Sequence, residues 1–140
     1  MNKKITIHTD ASNIKNSNIC KISSIIVFED ITTTYEDFCT GTIAYAELLA
    51  VIKTLEHVEK EYKPKNFCFE IYTDHLPNAK LLNSILETIE STRINATIKR
   101  KGLTAQDLLI IPRLQSTNDL NVIWIPRKEN KEADRLSKKS

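Results

Sequence analysis

Two strand-favouring stretches of this chain, Ile5–Thr9 and Phe67–Thr73, each run directly into an acid, at Thr9-Asp10 and Thr73-Asp74, and an amphipathic helix is predicted between them. A strand, helix, strand order implies a right-handed parallel crossover, which lays the later strand beside an earlier one, most naturally the first. The two Thr-Asp ends then lie side by side at the carboxyl edge of a sheet, where open α/β sheets bind ligands. A carboxylate at the end of an apolar strand is costly to desolvate unless a cation, a metal or several donors pair with it. Taken alone, Asp10 has a blander reading, as the opening residue of an Asx turn through Ala11, Ser12 and Asn13. Two further acids in comparable settings weigh against it.

The helix, Ala44 to Tyr62, puts Ala44, Leu48, Val51, Ile52, Leu55, Val58 and Tyr62 on one side and Lys53, Glu56, His57 and Lys60 opposite, and Pro64 ends it. Glu47 falls in line with Val51 and Val58, at the margin of the apolar stripe, where a carboxylate leans over whatever the helix packs against. Upstream, Ile22–Phe28 reads as an inner strand and Thr32–Phe38 as a more polar edge strand. Short connections make strands one to three an antiparallel meander.

Downstream, Leu76–Ile89 is predicted as a helix opened by Pro77, Ser91–Lys101 is polar and basic, and Gly102 breaks the chain. Thr104–Leu114 reads as a short helix disturbed by Pro112, and Asn121–Ile125 as a fifth strand closed by Pro126. Asn130 is read as the cap of a last helix, Lys131–Lys138, which carries Asp134. No repeat, low-complexity tract or linker interrupts this order, so residues 1–140 are expected to form a single domain.

With 41% hydrophobic and 27% charged residues the chain is globular rather than disordered. A net charge of only +2 means that any affinity for a polyanion depends on where the cations sit. They gather at Arg93, Lys99, Arg100 and Lys101, and again at Arg127, Lys128, Lys131, Arg135, Lys138 and Lys139. Cys20, Cys39 and Cys68 are too widely spaced for a zinc knuckle or a C-x-x-C pair, and read as reduced packing residues of a cytoplasmic protein. No apolar run is long enough to span a membrane and no signal peptide opens the chain.

Two acids at adjacent strand ends, a third leaning in from a helix and a fourth on the terminal helix make one carboxylate cluster: Asp10, Glu47, Asp74 and Asp134. Like charges that close repel and raise each other's pKa unless a cation neutralises them. An all-oxygen donor set selects hard ions, Mg2+ or Mn2+. Two such ions stabilise both the attacking and the leaving oxygen in phosphodiester cleavage.

The stretches Thr9-Asp10-Ala11-Ser12, Ala46-Glu47-Leu48-Leu49-Ala50, Tyr72-Thr73-Asp74 and Asn130-Lys131-Glu132-Ala133-Asp134-Arg135-Leu136-Ser137, in that order, resemble ribonuclease H type 1. The run Ile125-Pro126-Arg127 to Asp134 is similar to the plant and bacterial ribonuclease H-like branch that lacks a loop histidine. The resemblance covers nearly the whole chain. It implies an α/β fold with a five-stranded mixed sheet in the order 3-2-1-4-5 and helices on both faces. It implies that Asp10, Glu47, Asp74 and Asp134 hold two Mg2+ ions, with Mn2+ an alternative, and hydrolyse the RNA strand of an RNA/DNA hybrid; the protein is expected to be a monomer. Selection for RNA then comes from hydrogen bonds to 2′-hydroxyls. The candidate substrate-binding residues are Ser12, Lys99, Arg100, Lys101, Arg127, Lys128 and Asn130.

The chain departs from the family pattern at four places. No glycine lies between Asn13 and Asn18; Ile43 and Ala44 stand where the family often has Asn; His75 stands where Ser is common; and Arg127-Lys128-Glu129 replaces the loop histidine. Arg127 or Lys128 can partly substitute electrostatically, but neither is a good general base, so slow turnover is expected. The alternatives are a nuclease on another nucleic acid and a non-catalytic nucleic-acid or protein-binding module on the same fold.

Overall fold

A computed structural model describes residues 3–87 and 106–138. Strands β1 (Lys3–Asn13), β2 (Ile19–Phe28) and β3 (Ile31–Thr40) form the antiparallel meander. Helix α1 (Ile43–Tyr62) crosses to β4 (Phe67–Thr73), which pairs parallel with β1; α2 (Leu76–Glu87) and α3 (Ile110–Gln115) precede β5 (Asp119–Trp124), parallel to β4. Helix α4 (Lys131–Lys138) closes the described chain. The sheet order is β3-β2-β1-β4-β5, as the resemblance implies.

β1 is longer than expected. It does not stop at Asp10 but stays paired to Asn13, opposite Cys20. The Asx-turn reading of Asp10 is therefore wrong, and the turn lies further on. There Asn16 takes the left-handed φ of 62°, which Asn tolerates, in place of the glycines common in the family. β2 likewise starts three residues earlier than predicted, and β5 starts at Asp119 and ends at Trp124. The predicted helix from Thr104 becomes a 3-10 turn, Gln106–Leu108, followed by the short α3.

α1 begins where Thr42 accepts a hydrogen bond from Tyr45 N (3.2 Å), and ends where Lys63 turns left-handed (φ 45°) before Pro64. Its apolar stripe, Leu48, Ile52 and Leu55, is buried with Ile5, Ile7, Phe69 and Ile71 in one core. Alternation along β1 sends Ile5 and Ile7 to that face and Thr6, His8 and Asp10 to the other. α4 packs on β1 and β2. Its carbonyl at Ala133 accepts from Ser23 Oγ (2.9 Å), which fixes the helix directly over the strand pair that carries Asp10. Among the described residues no helix is long and apolar enough to cross a membrane.

Candidate active site

The parallel register between β1 and β4 sets the site. His8 pairs with Tyr72, so two residues further along each strand Asp10 and Asp74 stand abreast at the carboxyl edge. Glu47, in the second turn of α1, reaches the same edge and accepts from Ala11 N at 3.1 Å. One oxygen from each of Asp10, Glu47 and Asp74 lies within 4.8 Å of the others. Asp134, one turn into α4, brings its carboxyl into hydrogen-bonding contact with Asp10. All four acids named from the sequence thus meet.

Burial makes this arrangement costly as carboxylates. Asp10 is 0% and Glu47 2% exposed. Desolvation first, then the contact with Asp134 and the charge of Asp74, push the Asp10 carboxyl up to about 7, against hydrogen bonds that favour its charged form. Desolvation and the charge of Asp10 push Glu47 up to about 9. Glu47 Oε2 is buried with no hydrogen-bond partner. A buried lone pair on an acid surrounded by other acids is what a hard cation compensates, so the donor set fits a divalent metal ion.

A scaffold of neutral groups holds the acids. Asn130 is 1% exposed, and its Nδ2 donates to the Thr9 carbonyl (2.8 Å) and to Asp74 Oδ2 (3.2 Å). Its Oδ1 has no hydrogen-bond partner, so the side chain does not cap α4, although Asn130 holds the N-cap position and its carbonyl accepts the first helical bond, from Asp134 N at 3.0 Å. The side-chain cap expected of Asn130 is replaced by a buried strut, because its side chain turns inward from the helix start. Trp124 Nε1 donates to the Asp74 carbonyl (3.1 Å), and Ile125 N donates to the Thr73 carbonyl (3.0 Å). Sequence reasoning missed the Trp124 contact. Its signal was a tryptophan at the end of the strand that neighbours the Thr73-Asp74 end.

His75 Nδ1 accepts from Asn78 N (3.3 Å), the hydrogen bond of a helix cap, and Asn78 Nδ2 ties α2 to the Ala44 carbonyl (2.9 Å). His8 stacks on Tyr72 at 4.6 Å, and burial lowers its pKa. The ring lines a cavity of about 420 Å3 with Thr6, Ile25, Lys128 and Glu132. His57 meets Tyr35 at 4.8 Å. Ser12 is half-buried opposite Lys21, two residues beyond Asp10 on the same face. Arg127 and Lys128 are exposed on a 3-10 turn, Arg127–Glu129, that leads into Asn130. Lys99, Arg100 and Lys101 lie outside the described residues.

The RNase H family model matches residues 2–140. No curated protein sequence gives a significant match. Among solved structures, the chain is similar to LC11-RNase H1 isolated from compost, at 26% identity over 97% of this chain and 93% of that one, with a TM-score of 0.66. A structure of LC11-RNase H1 in complex with an RNA/DNA hybrid aligns at 24% identity over 94% and 92% of the two chains, with a TM-score of 0.68. RNase H1 from the halophilic archaeon Halobacterium salinarum NRC-1 aligns at 20% identity over 96% and 94%, with a TM-score of 0.66.

Proposed function

This chain belongs to the RNase H family, and from that premise we propose that it is an endoribonuclease hydrolysing the RNA strand of RNA/DNA hybrids with two divalent ions. The observation that carries the reading is the meeting of Asp10, Glu47 and Asp74 oxygens within 4.8 Å at the carboxyl edge of the sheet. A fold can host many functions, but a binding module has no use for a desolvated acidic cluster. The hybrid-bound LC11-RNase H1 supports the choice of substrate class.

Asp10, Glu47, Asp74 and Asp134 would hold the ions, with Mg2+ first and Mn2+ second by the hardness of the oxygen donors. When bound, the ions supply the positive charge that stabilises the attacking and leaving oxygens of the phosphodiester. The protein's own part is to hold that constellation in place. Ala11 N orients Glu47, and Asn130 orients Asp74 against β1. Phosphates are gripped by exposed cations, Arg127 and Lys128 among them, so affinity falls with salt. At the start of α1, Ile43 presents an apolar side chain, so hydrogen bonds to a 2′-hydroxyl there come from backbone groups. The turn Arg127–Glu129 offers no imidazole for proton transfer, and turnover is correspondingly slow.

The test is cleavage of an end-labelled RNA/DNA hybrid with Mg2+ or Mn2+ by the wild type and by Asp10→Asn, beside single-stranded RNA, double-stranded RNA and duplex DNA. Hybrid cutting that disappears in the variant is the expected result. Cutting of another substrate instead would replace the substrate assignment. Salt-sensitive binding without cutting by either ion would replace the enzyme by a binding module.

A further inference from the structure

Trp124 is the one tryptophan of the chain, and it stands at the last position of β5, opposite Thr73 in register. Tryptophan at a strand end is ordinarily buried for its area, with its N–H satisfied. Here the two properties are separated. The N–H is spent on the Asp74 carbonyl at 3.1 Å, while 44% of the residue remains exposed. The hydrogen bond fixes the indole in one orientation beside the carboxylate cluster. A ring held so loses little conformational freedom when something packs on it. Leu76, two residues beyond Asp74 at the start of α2, is also 41% exposed.

We propose that Trp124 is a substrate-contacting residue, an aromatic wall at the catalytic edge against which a nucleotide of the bound RNA strand, next to the scissile phosphate, packs its ribose. In a paired hybrid the base faces are stacked inside the duplex, so the surface offered to the ring is the ribose edge, which is the same for every sequence, as a non-selective nuclease requires. Arg127 and Lys128 follow within four residues on the exposed turn, so the aromatic surface and the phosphate-gripping cations lie on one continuous segment. This inference rests on the nuclease reading above.

The alternative is that Trp124 serves only as a strut for Asp74. Trp124→Phe keeps a ring and loses the N–H; Trp124→Ala loses both. Binding of a fluorescein-labelled hybrid is measured by anisotropy with Mg2+ in an Asp10→Asn background, and acrylamide quenching of the single tryptophan is measured with and without unlabelled hybrid. The expected result is that hybrid shields Trp124 from acrylamide, that Trp124→Phe binds within about threefold of the parent, and that Trp124→Ala loses roughly tenfold. Unchanged quenching on binding overturns the proposal, as does an equal loss in the Phe and Ala variants. The quenching measurement needs no substitution at Trp124, so it decides the matter even if the Ala variant does not fold. A wild type that cleaves the hybrid without shielding its tryptophan refutes this inference alone. A wild type that neither binds nor cleaves the hybrid refutes the nuclease reading, and this inference falls with it.

Discussion

Asn130 Nδ2 lies 3.2 Å from Asp74 Oδ2 and 2.8 Å from the Thr9 carbonyl, so one buried amide ties α4 to the two strand ends that carry the acids. A hydrogen bond to a charged group contributes about 1.5–3 kcal/mol, and leaving its partner unsatisfied in a buried place costs as much again. Asn130→Ala is therefore expected to lower stability by about 2 kcal/mol and to lower kcat more than it raises KM, since it disturbs Asp74 and not a substrate contact. Urea unfolding and steady-state hybrid cleavage check this. A change confined to KM would instead return Asn130 to the substrate surface.

The acidic cluster sets a pH dependence whose sign follows from burial. Asp10 and Glu47 are raised from 3.8 and 4.5 to about 7 and about 9. Between pH ~4 and ~9 the folded protein thus binds more protons than the unfolded chain, and stability falls as pH rises through that window. Without divalent ions the melting temperature is expected to drop from pH 5 to pH 9. Asp10→Asn should flatten the slope and be the more stable protein at pH 8. Mg2+ should stabilise the wild type at that pH and leave the variant nearly unmoved, because a ligand of the folded state alone shifts unfolding by mass action. Thermal melts at three pH values, with and without Mg2+, decide it; a wild type whose stability rises with pH refutes the account.

Arg127 and Lys128 are exposed on the turn before Asn130. If each holds one phosphate, Arg127→Ala with Lys128→Ala should weaken hybrid binding and cut the salt slope by roughly 0.9 per lost contact. The thermal midpoint should stay within a degree or two. Anisotropy titrations across a salt series supply the slope. An unchanged slope would mean that the phosphates are held elsewhere.

The hairpin between β2 and β3 turns on Glu29 and Asp30, whose φ angles of 47° and 69° are both left-handed, as a two-residue type I′ turn demands. Non-glycine residues are strained there, and glycine relieves the strain at some cost in unfolded-state entropy. Asp30→Gly is expected to raise stability by about 0.5–1 kcal/mol with kcat unchanged, as measured by urea unfolding and hybrid cleavage. Destabilisation by the glycine would show that Asp30 makes a compensating contact.

Periodicity alone identified α1, the meander and the strand, helix, strand unit, because alternation and the 3.6-residue repeat are local consequences of which face is buried. The acids were legible for the same reason. Asp10 and Asp74 each follow an apolar strand run, and Glu47 breaks an apolar stripe, so each stands where an unpaired carboxylate is too costly to be incidental. Strand ends were misjudged by up to three residues, since Ser12, Asn13 and Cys20 are held in β1 and β2 by pairing across the sheet rather than by their own propensity. The hydrogen bonds made by Asn130 and Trp124 could not be read from the chain. Their partners, Thr9 and Asp74, lie fifty or more residues away, and only the parallel register of β1, β4 and β5 brings those carbonyls and that carboxylate within reach. The sequence by itself determined which acids are present and on which elements they ride; the tertiary structure decided which neutral groups hold them, because hydrogen-bond geometry depends on register and not on composition.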